Sequence, residues 1–143
     1  VKLDTNGCYP TALADILNRN LVDYVAMDIK NCREKYGITV GIPDFDVAPV
    51  EESLRLLKNS GVDYELRTTG VEEFHGEAEM EAMGSWLETL VPGEKPKRFF
   101  LQCFVARDSV LQPGLHAPSR EKMEKMRKVL ETHAHSVSLR GID

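Results

Sequence analysis

No two cysteines of this chain stand at a spacing that could form a metal knuckle: Cys8, Cys32 and Cys103 are odd in number and far apart. That excludes a zinc-ribbon or CxxC redox module and favours reduced thiols in a cytoplasmic protein. No run is long and apolar enough for a membrane helix, and no signal-peptide pattern opens the chain. A net charge of -5 without a basic stripe argues against a nucleic-acid-binding module. Basic residues cluster only at Arg120–Lys128, where alternating signs read as the solvated face of a helix. No Ser/His/Asp triad, phosphate-binding glycine loop, internal repeat or low-complexity tract is legible. There is also no initiator Met: the chain opens on the strand-like Val1-Lys2-Leu3, as though inside a domain.

What is present is enough for one core, 143 residues of which 42% are hydrophobic. Strand-like Val1–Asn6 ends in a turn at Gly7, and Pro10 opens an amphipathic helix carrying Leu13, Ile16 and Leu17. Tyr24–Ile29 is an almost unbroken apolar run, the pattern of a strand buried on both faces. One helical turn at Arg33–Tyr36 precedes a Gly- and Pro-rich loop from Gly37 to Pro49. A helix then runs to a stop at Gly61, with Glu51 and Glu52 in its first turn and Lys58 late.

Val62–Thr69 reads as a third strand, and a helix from about Glu77 to Leu90 carries Met80, Met83 and Trp86 on its core side. Arg98–Val105 is a fourth strand. Ser119 caps a helix expected to reach His133, and Val137–Leu139 closes the chain as a short strand. Strands alternating with helices imply an α/β fold with right-handed crossovers and a parallel sheet. Five strands are too few to close a barrel, so Val1–Asn6 leaves an open edge that a missing strand or a partner, including a second copy, would cover.

In parallel α/β folds, ligands bind at the C-terminal ends of the strands. Here those ends carry Asp4, Thr5 and Asn6; Asp28 and Lys30; Arg67, Thr68 and Thr69; and Gln102 and Cys103. Four successive polar endings after apolar runs suggest a rim around a charged small molecule. Asp4 and Asp28 could converge on a cation or on ligand hydroxyls. Alternatively, Asp4 and Asn6 only shape an Asx turn. Lys30 could meet a carboxylate or simply pair with Asp28. Arg67 could grip an anionic group through its donor fork, or snorkel out of the sheet. Gln102, amid an apolar strand, needs partners from a ligand or a core network. Cys103 reads as a small buried hydrophobe, His75 as a solvated loop residue, and His133 and His135 as helix-end histidines favoured by the dipole.

The strand endings also carry a resemblance. Val-Lys-Leu-Asp-Thr-Asn-Gly at 1–7, Met-Asp-Ile-Lys at 27–30, Tyr-Glu-Leu-Arg-Thr-Thr at 64–69, Phe-Leu-Gln-Cys-Phe at 100–104 and Val-Ser-Leu-Arg-Gly at 137–141 follow one another as in the radical-SAM activating proteins of glycyl-radical enzymes. The chain resembles the activators of anaerobic ribonucleoside-triphosphate reductase and of pyruvate formate-lyase. That resemblance implies a partial (β/α) barrel, of which residues 1–143 would be a single incomplete domain, the C-terminal portion. It implies an enzyme using a [4Fe-4S] cluster and S-adenosylmethionine to place a radical on a glycine of a partner. It implies that Asp4, Thr5, Asn6, Asp28, Lys30, Arg67 and Gln102 face the cofactor, with Asp4, Thr5 and Asp28 able to hold a monovalent cation.

The CxxxCxxC motif of that family is absent here, as is the Gly-Gly-Glu segment. The chain alone is therefore expected to be inactive, a piece of its parent enzyme. Two other readings stay open: a non-catalytic ligand- or protein-binding module with a degenerate cofactor pocket, and a small metal-dependent lyase or hydrolase using Asp4 and Asp28.

Overall fold

The structure, a computed structural model, describes residues 1–90, 92–105 and 114–142. Its strands are β1 (Lys2–Thr5), β2 (Tyr24–Asp28), β3 (Asp63–Gly70), β4 (Arg98–Cys103) and β5 (Ser136–Arg140). Its α-helices are α1 (Pro10–Asn18), α2 (Tyr36–Val40), α3 (Ala48–Ser60), α4 (Glu77–Leu90) and α5 (Arg120–Leu130), with a 3-10 turn at Arg33–Lys35 before α2. All strand pairings are parallel, and the spatial order β1-β2-β3-β4-β5 follows the chain. The expected α/β architecture, a partial parallel (β/α) sheet with β1 left as an open edge, is what forms.

The two faces of this sheet differ sharply. Leu3, Val25, Met27, Leu66, Phe99, Leu101 and Val137 pack with the leucines and methionines of α1, α3, α4 and α5 into one core. The alternate residues point the other way, as the period of a strand dictates. On that open face lie Asp4, Asp28, Glu65, Arg67, Phe100, Gln102 and Arg140, in register across the sheet: Asp28 opposite Arg67, Arg67 opposite Phe100, Gln102 opposite Arg140.

Local chemistry explains the boundaries. Gly61 ends α3 in the left-handed conformation at φ 79°, which glycine adopts without Cβ strain. Ser119 accepts a hydrogen bond from the Lys122 amide and starts α5 as its sequence implied. The strands differ from expectation by one or two residues at their ends, and two helices differ more. Helix α5 stops at Leu130, short of His133, and the helical turn expected to end at Tyr36 continues as α2 through Val40, into the expected loop. Propensity alone would not hold a five-residue helix; tertiary contact does. The buried Tyr36 ring stacks on Phe45 at 5.3 Å and meets Trp86 edge-on at 6.0 Å, while Trp86 Nε1 donates to Glu51 on α3.

Candidate functional site at the strand ends

Parallel strands deliver their last residues to one edge of the sheet, and there the charged residues meet. Arg67 on β3 reaches Asp28 on β2 (Nε–Oδ1 3.3 Å) and Asp4 on β1 (Nη2–Oδ1 3.6 Å). Lys30 lies 3.5 Å from the other oxygen of Asp28. Two carboxylates and two cations thus form a chain across three strands, formally neutral and open to solvent on the side away from the helices. The Arg67 Nε is buried without a well-aligned hydrogen bond, so its pairing with Asp28 is a charge contact with donor capacity to spare.

The remaining strand-end candidates separate. Thr5 alternates away from Asp4, and its Oγ1 accepts from the Gly7 amide at 3.1 Å. Asn6 Oδ1 accepts from the Cys8 amide at 2.9 Å, so Asn6 makes the Asx turn while Asp4 does not. Ser53 on α3 donates to the Gly7 carbonyl at 2.8 Å and pins this turn to the core. Gly7 itself sits at φ 75°, and a Cβ there would come within 2.3 Å of Met27 Cε. Arg67 is held between carboxylates and does not snorkel. Gln102 lies exposed on the open face beside Arg140, where solvent can reach its amide; a core network is not its partner. Thr68 faces the core, donating to the Ile29 carbonyl at 2.6 Å.

A second row lies one step deeper on the same face. Glu65 is 3% exposed, accepts from the Tyr24 hydroxyl at 2.9 Å and has Arg140 Nη1 at 3.5 Å. The Arg140 guanidinium lies over the Phe100 ring, 3.6 Å from its centroid. Glu65 and Arg140 were not singled out in the sequence, although the alternation Glu65-Arg67-Thr69 within β3 carried the signal that this strand has a polar face.

Two buried polar residues behind the rim were also missed. His75 is 2% exposed, not solvated. Its Nδ1 accepts from the Val71 amide at 2.9 Å, which leaves the proton on Nε2 to donate to the Lys30 carbonyl at 2.8 Å. Burial pushes its pKa down, against the pull of its backbone partners, which favours the neutral ring. Asn31, fully buried, donates to Thr39 Oγ1 (2.9 Å) and the Phe74 carbonyl (3.0 Å) and accepts from the Cys32 amide. Together they fasten the loop bearing Lys30 to the loop after β3. No isolated His or Asn in a sequence announces such a role.

His133 also departs from expectation. It lies beyond α5, and its ring bridges Glu88 (2.7 Å) and Glu81 (3.0 Å) of α4. Burial disfavours its charged form, but the two carboxylates outweigh that and raise its pKa.

The donor set bears on which cofactors these residues could hold. The alternating charges of Asp4, Arg67, Asp28 and Lys30 fit a zwitterion, an amino-acid end with one ammonium and one carboxylate. An iron–sulfur cluster does not fit. Among the described residues no three metal-ligating side chains come together. Burial moreover raises the pKa of all three thiols, the opposite of what thiolate ligands require. Among the described residues no helix is long and apolar enough to cross a membrane.

No family model matches the chain. Over its whole length the chain is 24% identical to a Methanocaldococcus jannaschii protein named "Putative glycyl-radical enzyme activating enzyme". It spans 59% of that relative's length. Among solved structures, a domain of pyruvate-formate lyase-activating enzyme from Bacteroides vulgatus shares the fold with a TM-score of 0.72 at 12% identity, over 97% of this chain and 80% of that one. A match along the entire chain and a shared fold bear out the resemblance that the strand endings carry, to the radical-SAM activating proteins of glycyl-radical enzymes.

Proposed function

We propose that residues 1–143 are the C-terminal part of a radical-SAM activating enzyme, and that the strand-end cluster holds the amino-acid end of S-adenosylmethionine. The observation carrying this reading is the neutral chain of four charges, Asp4, Arg67, Asp28 and Lys30, at the sheet edge where parallel folds bind ligands. Asp28 and Asp4 would face the ammonium, and Lys30 and Arg67 the carboxylate, with Gln102 on the flank. Thr5 and Asn6 shape the turn below them. Asp4, Thr5 and Asp28 are also the proposed place for a monovalent cation, which would compete with the Arg67 guanidinium for the two carboxylates.

When bound to its cluster in the whole enzyme, S-adenosylmethionine would supply the radical that abstracts hydrogen from a partner's glycine. The residues present here would bind and orient that cofactor. They could not reduce it, because no cluster can be built on Cys8, Cys32 and Cys103. The partner would be a glycyl-radical enzyme of the anaerobic ribonucleotide reductase or pyruvate formate-lyase type, met in the cytoplasm. The open edge at β1 would be covered by further strands of the same enzyme or, failing them, by a second copy.

The test is direct. Genomic sequence upstream of Val1 is expected to encode, in frame, a CxxxCxxC segment. The longer protein, reconstituted with iron and sulfide without oxygen, is expected to cleave S-adenosylmethionine to 5′-deoxyadenosine when reduced. An initiator codon at Val1 would overturn the reading in favour of a stand-alone binding module.

A further inference from the structure

A cavity of about 560 Å³ opens beside the charged cluster, on the same end of the sheet, between the loop after β2 and the loop after β3. Its walls are Glu34, Gly37, Ile38, Gly41, Pro43 and Phe74. Ile38, in the wall, is 60% exposed and Ile42, between the lining residues Gly41 and Pro43, is 52% exposed, so large apolar side chains face solvent where polar residues would cost nothing.

The wall is built to keep its shape. A Cβ on Gly37 would lie 2.7 Å from the Ile42 carbonyl oxygen and 3.0 Å from that of Pro43, so only glycine lets the chain fold back this closely. The Ile42 amide closes the turn onto the Gly37 carbonyl at 2.9 Å. Asn31 ties both sides of the cavity together through Thr39 of α2 and the carbonyl of Phe74. His75, next to Phe74, bonds the Lys30 carbonyl. A group seated in the cavity therefore sits on the same buried network that holds the backbone of Lys30. Such a network is costly to bury unless satisfied, and once satisfied it is rigid.

Charge identifies the occupant. The 3-10 turn beside the cavity reads Arg33-Glu34-Lys35. Arg33 is drawn to Glu51 at 3.6 Å and Lys35 to Glu79 at 2.7 Å, both on the core helices. Glu34 has no cationic partner among the described residues and lines the cavity. The turn thus presents one uncompensated carboxylate beside an apolar floor.

We propose that this cavity anchors a polypeptide segment of the partner protein, one with an aliphatic or aromatic side chain adjoining a lysine or arginine. The apolar side chain enters between Ile38, Pro43 and Phe74, and the cation meets Glu34. Seated there, the segment continues past Lys30 toward the strand ends. The proposal rests on the reading of the chain as part of an enzyme acting on a protein.

Amide NMR of the isotopically labelled chain tests it, with acetylated and amidated Ala-Ala-Leu-Lys-Ala-Ala as probe and its Leu-Glu counterpart as control. The Leu-Lys peptide is expected to shift the amides of Gly37, Ile38, Gly41 and Phe74, and to bind about two- to five-fold more tightly than the control, as for a solvent-exposed ion pair. Glu34→Gln should abolish that preference, and Ile38→Ser should weaken both peptides. An unchanged preference in Glu34→Gln overturns the proposal, as do shifts mapping elsewhere. So does concentration-dependent sedimentation that Ile38→Ser abolishes, which would make a second copy the occupant. A parallel titration with S-adenosylmethionine reads Asp4, Asp28 and Arg67. Its failure counts against the functional reading and leaves the peptide result to stand or fall separately.

Discussion

Asp28 and Arg67 are paired residues of β2 and β3, directly opposite in register, and their side chains meet at 3.3 Å on the open face of the sheet. The backbone pairing sets this contact, because adjacent parallel strands place in-register side chains on one face. Arg67 also reaches Asp4, so one guanidinium spans two carboxylates from separate strands.

Asp28→Asn removes the carboxylate shared by Arg67 and Lys30. NMR titration with S-adenosylmethionine is expected to show roughly tenfold weaker binding, the scale of one charge-assisted hydrogen bond. Stability should change by no more than about 1 kcal/mol, since the pair is partly exposed. Wild-type affinity in this variant would remove the cluster from the ligand site.

His133 and His75 are expected to give stability opposite slopes with pH. The raised pKa of His133 means its ion pairs stabilise the fold below the ordinary imidazole value of 6.5 and are lost as pH rises through the folded value. His75 is depressed, so its contribution is complete above 6.5 and is lost as pH falls toward the folded value. Urea unfolding between about pH 5 and 8 should therefore lose its decline on the alkaline side in His133→Gln.

His75→Leu leaves the Lys30 carbonyl and the Val71 amide without their partner. A loss of about 2 kcal/mol is expected, and hydrogen exchange should accelerate at Val71 and in the loop bearing Lys30. Unchanged exchange there would mean that the imidazole does not fasten the two loops.

Gly84→Ala should destabilise where helix propensity alone predicts a gain of about 1 kcal/mol. A Cβ at position 84 would lie 2.3 Å from His133 Cδ2 and 2.4 Å from Cγ, so the ring must leave its place between Glu81 and Glu88. Urea denaturation is expected to show a net loss of roughly 1–3 kcal/mol. The double variant with His133→Ala should recover most of it.

Anaerobic treatment of the chain with iron and sulfide is expected to yield no visible charge-transfer absorption and no stoichiometric iron after desalting. Burial raises the pKa of each thiol, and among the described residues no three metal-ligating side chains come together. A stable cluster on this chain would contradict the proposal that the cluster is held elsewhere.

The sequence by itself determined the order of the strands and of the four longer helices, the parallel sheet and the strand ends at which Asp4, Asp28, Lys30 and Arg67 would sit. Those features follow from local patterns: apolar runs of strand length, amphipathic helical periods, and stops at Gly7 and Gly61. Tertiary structure decided which of the polar endings meet. Thr5 and Asn6 follow Asp4 in sequence yet satisfy the backbone of a turn, because alternation turns Thr5 away and the Gly7 bend engages Asn6. His75 and Asn31 could be recognised only once their partners were near, 45 residues away at Lys30 and 43 at Phe74. Short helix α2 likewise exists because Tyr36 finds Phe45 and Trp86. Burial and hydrogen-bond satisfaction depend on groups distant in the chain, and a sequence pattern records only what its neighbours require.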